Sequence, residues 1–250
     1  QTEFPDAGAP ASGSCFRPVS QKPTPFPIPA RKGGPRLNQT RITELDLFRG
    51  ICLLGVFLSH FLYDLGALPG VTLPLPPLLQ GLFRYGGVLF VLLSGVCVTL
   101  GSHSTRRGCI VLGCGLLVTA VTWAFDALAG SESAIVRFGI LHLLGCAMLL
   151  YPLFRRLPNW ALTVLGLGFV ALGLYFKRIT VPCAWLFPLG LTAQDFYSGD
   201  YWPLLPNFGW FLLGAVLGRR LYPARRPLLP ALQGKAPFLS FCGRHSLLLY

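Results

Sequence analysis

The sequence predicts an all-α protein, a polytopic transmembrane helical bundle of six to seven spans, and three observations predict it. Hydrophobic residues make up 53% of the chain and charged residues only 12%. An average soluble chain carries roughly 25% charged residues, about twice that share. The mean hydropathy is +0.58. The apolar residues fall into seven runs, with the cations clustered in the short stretches between them.

Residues 1–40 are rich in Pro, Gly, Ser and Ala and carry no apolar periodicity. They read as a disordered cytoplasmic N-terminal tail, followed by a transmembrane domain over 41–250. The chain starts at Gln1 without a signal-peptide core, so the first span is expected to serve as the targeting anchor.

The seven runs are Leu47–Leu68, Leu78–Leu100, Cys109–Leu128, Ala134–Phe154, Trp160–Phe176, Pro203–Leu221 and Pro237–Tyr250. A span needs about 20 residues. The first six are long enough, the Trp160 run being at the short end. The seventh is shorter, so the domain is expected to be incomplete at its C-terminus, or that helix does not cross.

The connections alternate in charge. Arg31, Lys32, Arg36 and Arg41 precede the first run, and the next connection, PGVTLPLPP, has no charge. Arg106 and Arg107 follow the second run, Arg155 and Arg156 the fourth, and Arg219, Arg220, Arg225, Arg226 and Lys235 the sixth. The third and fifth are followed by acidic or mixed stretches holding Asp126, Glu132, Asp195 and Asp200. Under the positive-inside rule the N-terminus is cytoplasmic. The net charge of +12 is therefore a topology signal, and nucleic acid is not an expected partner. Asn38-Gln39-Thr40 matches a glycosylation acceptor but would lie on the wrong side to be modified.

Six of the eight cysteines lie in or at the ends of apolar runs, where cysteine acts as a small hydrophobe. No C-x-x-C pair occurs, and the remaining two, Cys15 and Cys183, are expected on opposite sides of the membrane. Neither a disulfide framework nor a metal site is expected. Gly214-x-x-x-Gly218, Gly86-Gly87 and Gly95 suit close helix approach. In 192–206 aromatics alternate with acids, a pattern of interfacial anchors more than of a sugar platform.

The chemistry is expected in the first span, Glu44 to Leu65. It begins with charged residues, turns apolar, and then places His60 and Asp64 four residues apart on one helical face. Ionisable groups at membrane depth are costly and by default mark a functional site. The plainer reading is a polar pair that helps the bundle assemble. His60 and His142 each lie about 12 Å from the outer end of their spans, and Arg84 about 9 Å. Asp64, Asp126 and Arg137 lie nearer the same face, so these residues suggest a polar cavity opening outward. In it His60 would be the base and Asp64 its orienter. His142 is a second acid or base, or a hydrogen-bond partner. Arg84, with Asp126 and Arg137, would hold substrate, although Arg84 could equally pair with Asp64. At the other end, Asp46 and Arg49 could shape a cofactor mouth, since guanidinium suits phosphate; Arg49 could also be a topology residue. There is no P-loop, G-x-S-x-G, H-E-x-x-H or G-x-G-x-x-G, which weighs against ATP-driven, hydrolase and dinucleotide chemistry.

These residues carry a resemblance. RITELDLFRGICLLGVFLSHFLYDL is similar to the opening of bacterial membrane proteins in the heparan-α-glucosaminide N-acetyltransferase catalytic-domain family. Arg41, Glu44, Asp46, Arg49, Gly50, His60, Phe61, Asp64 and Leu65 match its R-x-x-E-x-D-x-x-R-G and H-F-x-x-D-L pattern. Arg137-Phe-Gly-Ile-Leu-His142, the stretch from Asp200 to Gly218, and Gly243-Arg-His-Ser-Leu agree as well. The resemblance implies an integral membrane acyltransferase of the plasma membrane of a bacterium. Acetyl-CoA on the cytosolic side would be the donor, and an outer glycan or amino sugar the acceptor. His60 is the inferred catalytic histidine, as base or acetyl carrier. The lipid bilayer is the expected environment and a second copy of the chain an allowed partner. A proton-coupled secondary transporter with a His/Asp/Arg cavity is the rival, and a non-catalytic assembly subunit a third reading.

Overall fold

The computed structural model describes residues 42–66, 75–130, 134–232 and 236–245, apart from the side chains of Tyr63, Asp64, Arg84, Ala184 and Ala231. Among these residues every regular element is helical. They are α1 (Thr43–Gly66), α2 (Pro77–Leu100), α3 (Ser104–Ala129), α4 (Ile140–Phe154), α5 (Asn159–Phe176), α6 (Leu204–Leu221) and α7 (Pro237–Arg244), with 3-10 turns at Ala184–Leu189 and Pro230–Leu232. The expected N-terminal tail lies outside the described residues.

The helix ends follow from the sequence. Pro77 occupies the first turn of α2, where its missing N–H costs nothing. At the end of α3, Gly130 takes a left-handed conformation (φ 65°), and its N–H returns to the Asp126 carbonyl. Pro158 and Pro203 precede α5 and α6.

α6 is the centre of the bundle. Phe208, Phe211, Leu212, Ala215 and Val216 are buried against Val91 of α2, Leu143 and Ala147 of α4, and Leu162 of α5. In lipid no hydrophobic force joins helices, so close packing must do it, and small residues permit that. They occur here in facing pairs. A side chain at Gly95 would strike the Phe211 backbone, and one at Gly214 the Leu92 backbone, so α2 and α6 touch main chain to main chain. Gly166 and Gly209 do the same for α5 and α6, Gly108 and Gly145 for α3 and α4, and Gly50 and Gly243 for α1 and α7.

The outer faces of α1, α3 and α5 are apolar and exposed, with Phe57, Phe61, Leu117, Trp123 and Val164 all more than half accessible. Such faces suit hydrocarbon, not water. α1, α3 and α5 are long and apolar enough to span a bilayer, and α2 makes a fourth if its bent halves count as one span. The chain is therefore a membrane protein of helical type, with three to four candidate spans among the described residues.

α4 corrects one boundary. Helix was expected from Ala134, but 134–139 is extended and α4 begins at Ile140, leaving 15 residues. The reason is tertiary: hydrogen bonds from α3 on one side and from the segment before α6 on the other hold the stretch. α7 covers only eight described residues and packs along the start of α1.

Candidate active site

The helices alternate in direction, so the starts of α1, α3 and α5 share one face with the ends of α2, α4 and α6. This basic face is tied together by two charged side chains. Glu44, 2% exposed, accepts the Tyr222 hydroxyl (2.7 Å) and the N–H groups of Leu228 (2.9 Å) and Leu229 (2.6 Å). Arg219 donates to the carbonyls of Arg155 (2.7 Å) and Leu157 (2.8 Å), satisfying acceptors that the end of α4 leaves open. Burial first, and then the Glu44 carboxylate, push the Tyr222 phenol well above its ordinary range.

Beside them a cavity of about 300 Å³ lies among α1, α2, α3, α4 and α7. Its mouth carries Arg49, Arg107 and Arg244, and its walls are apolar, reaching Phe90, Leu141 and Leu144. Arg49 and Cys97 line the same cavity. Arg244 pairs with the buried Asp46 carboxylate at 3.5 Å, whose Oδ2 has no hydrogen-bond partner. Leu141 brings the wall to the residue next to His142.

At the opposite face, the extended stretch before α4 is stitched on two sides. From α3, Asp126 accepts the N–H groups of Ala134 and Ile135 (3.0 and 2.8 Å), and Thr122 accepts that of Val136 (3.1 Å). From the segment before α6, Ser198 accepts from Arg137 N–H (3.0 Å), and the N–H groups of Gly199 and Trp202 donate to Ile135 and Phe138 (both 2.8 Å). The Asp200 Oδ2 then accepts the first N–H of α4, from Ile140, at 3.0 Å. A helix N-terminus favours such a carboxylate.

His142 closes this arrangement. Its Nδ1 accepts Gly139 N–H (3.2 Å), so the proton of a neutral ring sits on Nε2, 3.2 Å from Thr119 Oγ1. Thr119 passes its own hydroxyl proton to the Val136 carbonyl (2.6 Å), leaving its oxygen free to accept. Both imidazole nitrogens are thereby engaged. Gly139 has no room for a side chain because the Asp200 carboxylate lies against it. The R-F-G-I-L-H stretch thus encodes a helix start.

Asp200 is pushed above the ordinary carboxylate range by burial; the bonds from Ile140 and from the Trp202 side chain, and the charge of His60, act the other way. His60 on α1 thus lies within electrostatic reach of Asp200. The Trp202 ring fills a notch at Gly87 of α2. Nearby, Tyr201 donates to the Phe187 carbonyl (2.6 Å), and burial pushes its phenol up to about 12.

Of the residues expected at the site, Arg49 lines the cavity and Asp46 adjoins it through Arg244. Asp126 and His142 hold backbone. Arg137 lies over the Phe196 ring (5.9 Å). His60 is exposed, while the side chains of Asp64 and Arg84 lie outside the described residues. Sequence reasoning did not place at the site Arg107, which read as a topology residue, Arg244, noted only within the matching Gly243-Arg-His-Ser-Leu stretch, or Asp200, which read as a loop acid at the start of another matching stretch. The seven cysteines among the described residues are free thiols.

A family model described as "Heparan-alpha-glucosaminide N-acetyltransferase, catalytic" matches residues 41–250. No curated protein and no solved structure matches the chain.

Proposed function

The chain belongs to the heparan-alpha-glucosaminide N-acetyltransferase catalytic family, and from that premise we propose that it moves an acetyl group from acetyl-CoA to a glycan amine or hydroxyl across a membrane. The observation that carries this reading is the cavity that begins at Arg49, Arg107 and Arg244 and ends at Leu141, beside the start of α4. Three guanidinium groups suit a diphosphate and a ribose phosphate, and an apolar channel suits a pantetheine arm. A volume of about 300 Å³ is at the lower end for a ligand pocket.

In this reading six helices cross the bilayer, with α4 reaching across with the help of its extended leader. The basic face is cytosolic, in the plasma membrane of a bacterium, and the Asp200 face looks outward. Bound acetyl-CoA supplies an activated thioester. Arg49, Arg107 and Arg244 hold its phosphates, with Asp46 positioning Arg244. His60 would take the proton from the acceptor amine or hydroxyl as its lone pair attacks the thioester carbonyl, a contribution on the order of 10²–10⁴ in rate; the C–S bond would then break, and CoA would leave as the thiol with a proton taken up in exchange. Asp64, one turn further along α1, is assigned as the orienter of His60, and Arg84 of α2 as a residue for the acceptor.

The test uses sealed vesicles of known orientation, with radiolabelled acetyl-CoA on the basic side and a glucosamine-terminated oligosaccharide on the other. Label is expected on the sugar with wild type and not with a folded His60→Ala variant. Solute movement with no label on any amine or hydroxyl acceptor would replace this reading with a transporter.

A further inference from the structure

One stripe of α2 runs the length of the cavity. Phe90, Ser94, Cys97 and Gly101 follow one another at steps of four, three and four residues, and all line it. Such steps keep residues on one helical face. At 1.5 Å per residue, Phe90 stands about 16 Å from Gly101, and Ser94 about 10 Å. Gly101 marks the mouth, since the Arg107 guanidinium lies against it. Towards Phe90 the wall is apolar, with Leu141 and Leu144 of α4. Among the described lining residues, Ser94 is the hydroxyl within this channel. The other serine, Ser104, is the first residue of α3, at the mouth.

Ser94 is 5% exposed, and its hydroxyl donates to the Phe90 carbonyl at 2.9 Å. A hydroxyl that has given its proton away offers a ligand only lone pairs. Resting on the reading of the cavity as the acetyl-CoA site, we propose that Ser94 is a donor-specificity residue: its oxygen accepts an amide N–H of the pantetheine arm. An amide N–H carried into an apolar channel loses its water and is costly unless an acceptor meets it. A site built around such a bond also rejects ligands that lack the matching group. Ser94 would thereby select pantetheine thioesters over simpler thioesters that carry the same acetyl group. The rival role is a hydroxyl bonded back onto its own helix and serving no ligand.

The other polar side chains of the cavity do not fill this role. Arg49, Arg107 and Arg244 are donors without acceptor capacity, suited to phosphate and not to an N–H. The Cys97 sulfur, one turn nearer the mouth, is a weak acceptor.

The test reads binding, not turnover, by titration calorimetry on the full chain in detergent. Its two ligands are CoA and adenosine 3′,5′-bisphosphate, which keeps the phosphates of the nucleotide end but lacks the arm. Because a back-bonded hydroxyl adds little to a helix, S94A is expected to fold. It should bind CoA about tenfold more weakly and the bisphosphate as wild type does. S94T, which keeps a hydroxyl, should recover CoA affinity, and R107A should weaken both ligands. CoA affinity unchanged in S94A would leave Ser94 only its bond to Phe90. An equal loss for both ligands would mean that it acts through the fold, and either result overturns the proposal. Should S94A not fold, wild type decides with CoA N-methylated at one arm amide or the other: both analogues binding as CoA does overturns it. A wild type that binds no CoA overturns this inference together with the cofactor site. One that binds CoA with the expected Ser94 dependence, yet transfers no acetyl, upholds it and sinks the acetyltransferase reading alone.

Discussion

Glu44 and Tyr222, at the start of α1 and just past the end of α6, share a buried hydrogen bond of 2.7 Å across 178 residues of sequence. With Leu228 and Leu229 also donating to it, the Glu44 carboxylate holds the first and last long helices together on the basic face. Removing it leaves three donors without their acceptor. Glu44→Ala is expected to cost about 3 kcal/mol or more, read as a lower midpoint of thermal unfolding in detergent. Tyr222→Phe removes one bond and should cost about 1 kcal/mol.

Alkaline pH tests two phenols, the half-buried Tyr201 and the buried Tyr222. Tyr201 is raised from 10.0 to about 12, and Tyr222 is raised further, each chiefly by burial. A group whose folded pKa is raised contributes stability that is complete below its unfolded value and is lost as pH climbs through the folded one. Stability should therefore fall from about pH 10 upward. Tyr201→Phe should flatten that fall between 10 and 12, followed by thermal midpoints across the pH series.

His142 separates a structural from a catalytic histidine. With Gly139 and Thr119 on its two nitrogens, His142→Ala should lower stability by about 1–2 kcal/mol, as loss of a helix cap does. Thr119→Val should give part of the same loss. In the vesicle assay a His142→Ala protein that remains folded is expected to keep far more transfer than His60→Ala. Equal loss in both would give His142 a direct part in the chemistry.

The arginines at the cavity mouth should act on donor binding. Arg107→Ala and Arg244→Ala are each expected to raise KM for acetyl-CoA about tenfold, equivalent to about 1.4 kcal/mol, with kcat little changed. Dephospho-CoA thioesters should lose affinity in wild type but show a smaller further loss in whichever variant contacts the ribose phosphate. Initial-rate kinetics with both donors checks this. No change in KM for either variant would take the phosphates away from this cavity.

Much of the fold was legible because its signals are local. An apolar stretch with no charge must satisfy its own backbone hydrogen bonds in lipid, which forces helix whatever surrounds it. So α1, α2, α3, α5 and α6 stand close to their expected limits. α4 does not. Ala134 to Gly139 carry one charge and are otherwise as apolar as the helix after them, but Asp126, Thr122, Ser198 and Asp200 draw backbone N–H groups away from a helical ladder. Nothing in the six residues themselves announces those partners. The site divides in the same way. Arg49 could be picked out because it sits in a recognisable stretch beside Asp46. Arg107 looked like any other loop cation, and Arg244 stood only in a matching stretch, until three helices brought them to one cavity.

By itself the sequence determined that this is a helical membrane protein, where most of its helices run, that Gly95 and Gly214 suit close approach, and that His60 stands in the first apolar run. Only the tertiary structure decided that His142 and Asp126 hold backbone, that three distant arginines line one cavity, and that Asp200 meets the start of α4. The physical reason is one of range. Helix formation and burial in lipid depend on neighbours a few residues away. A hydrogen bond or an ion pair depends on direction and a few ångströms of separation between groups that the chain may carry far apart.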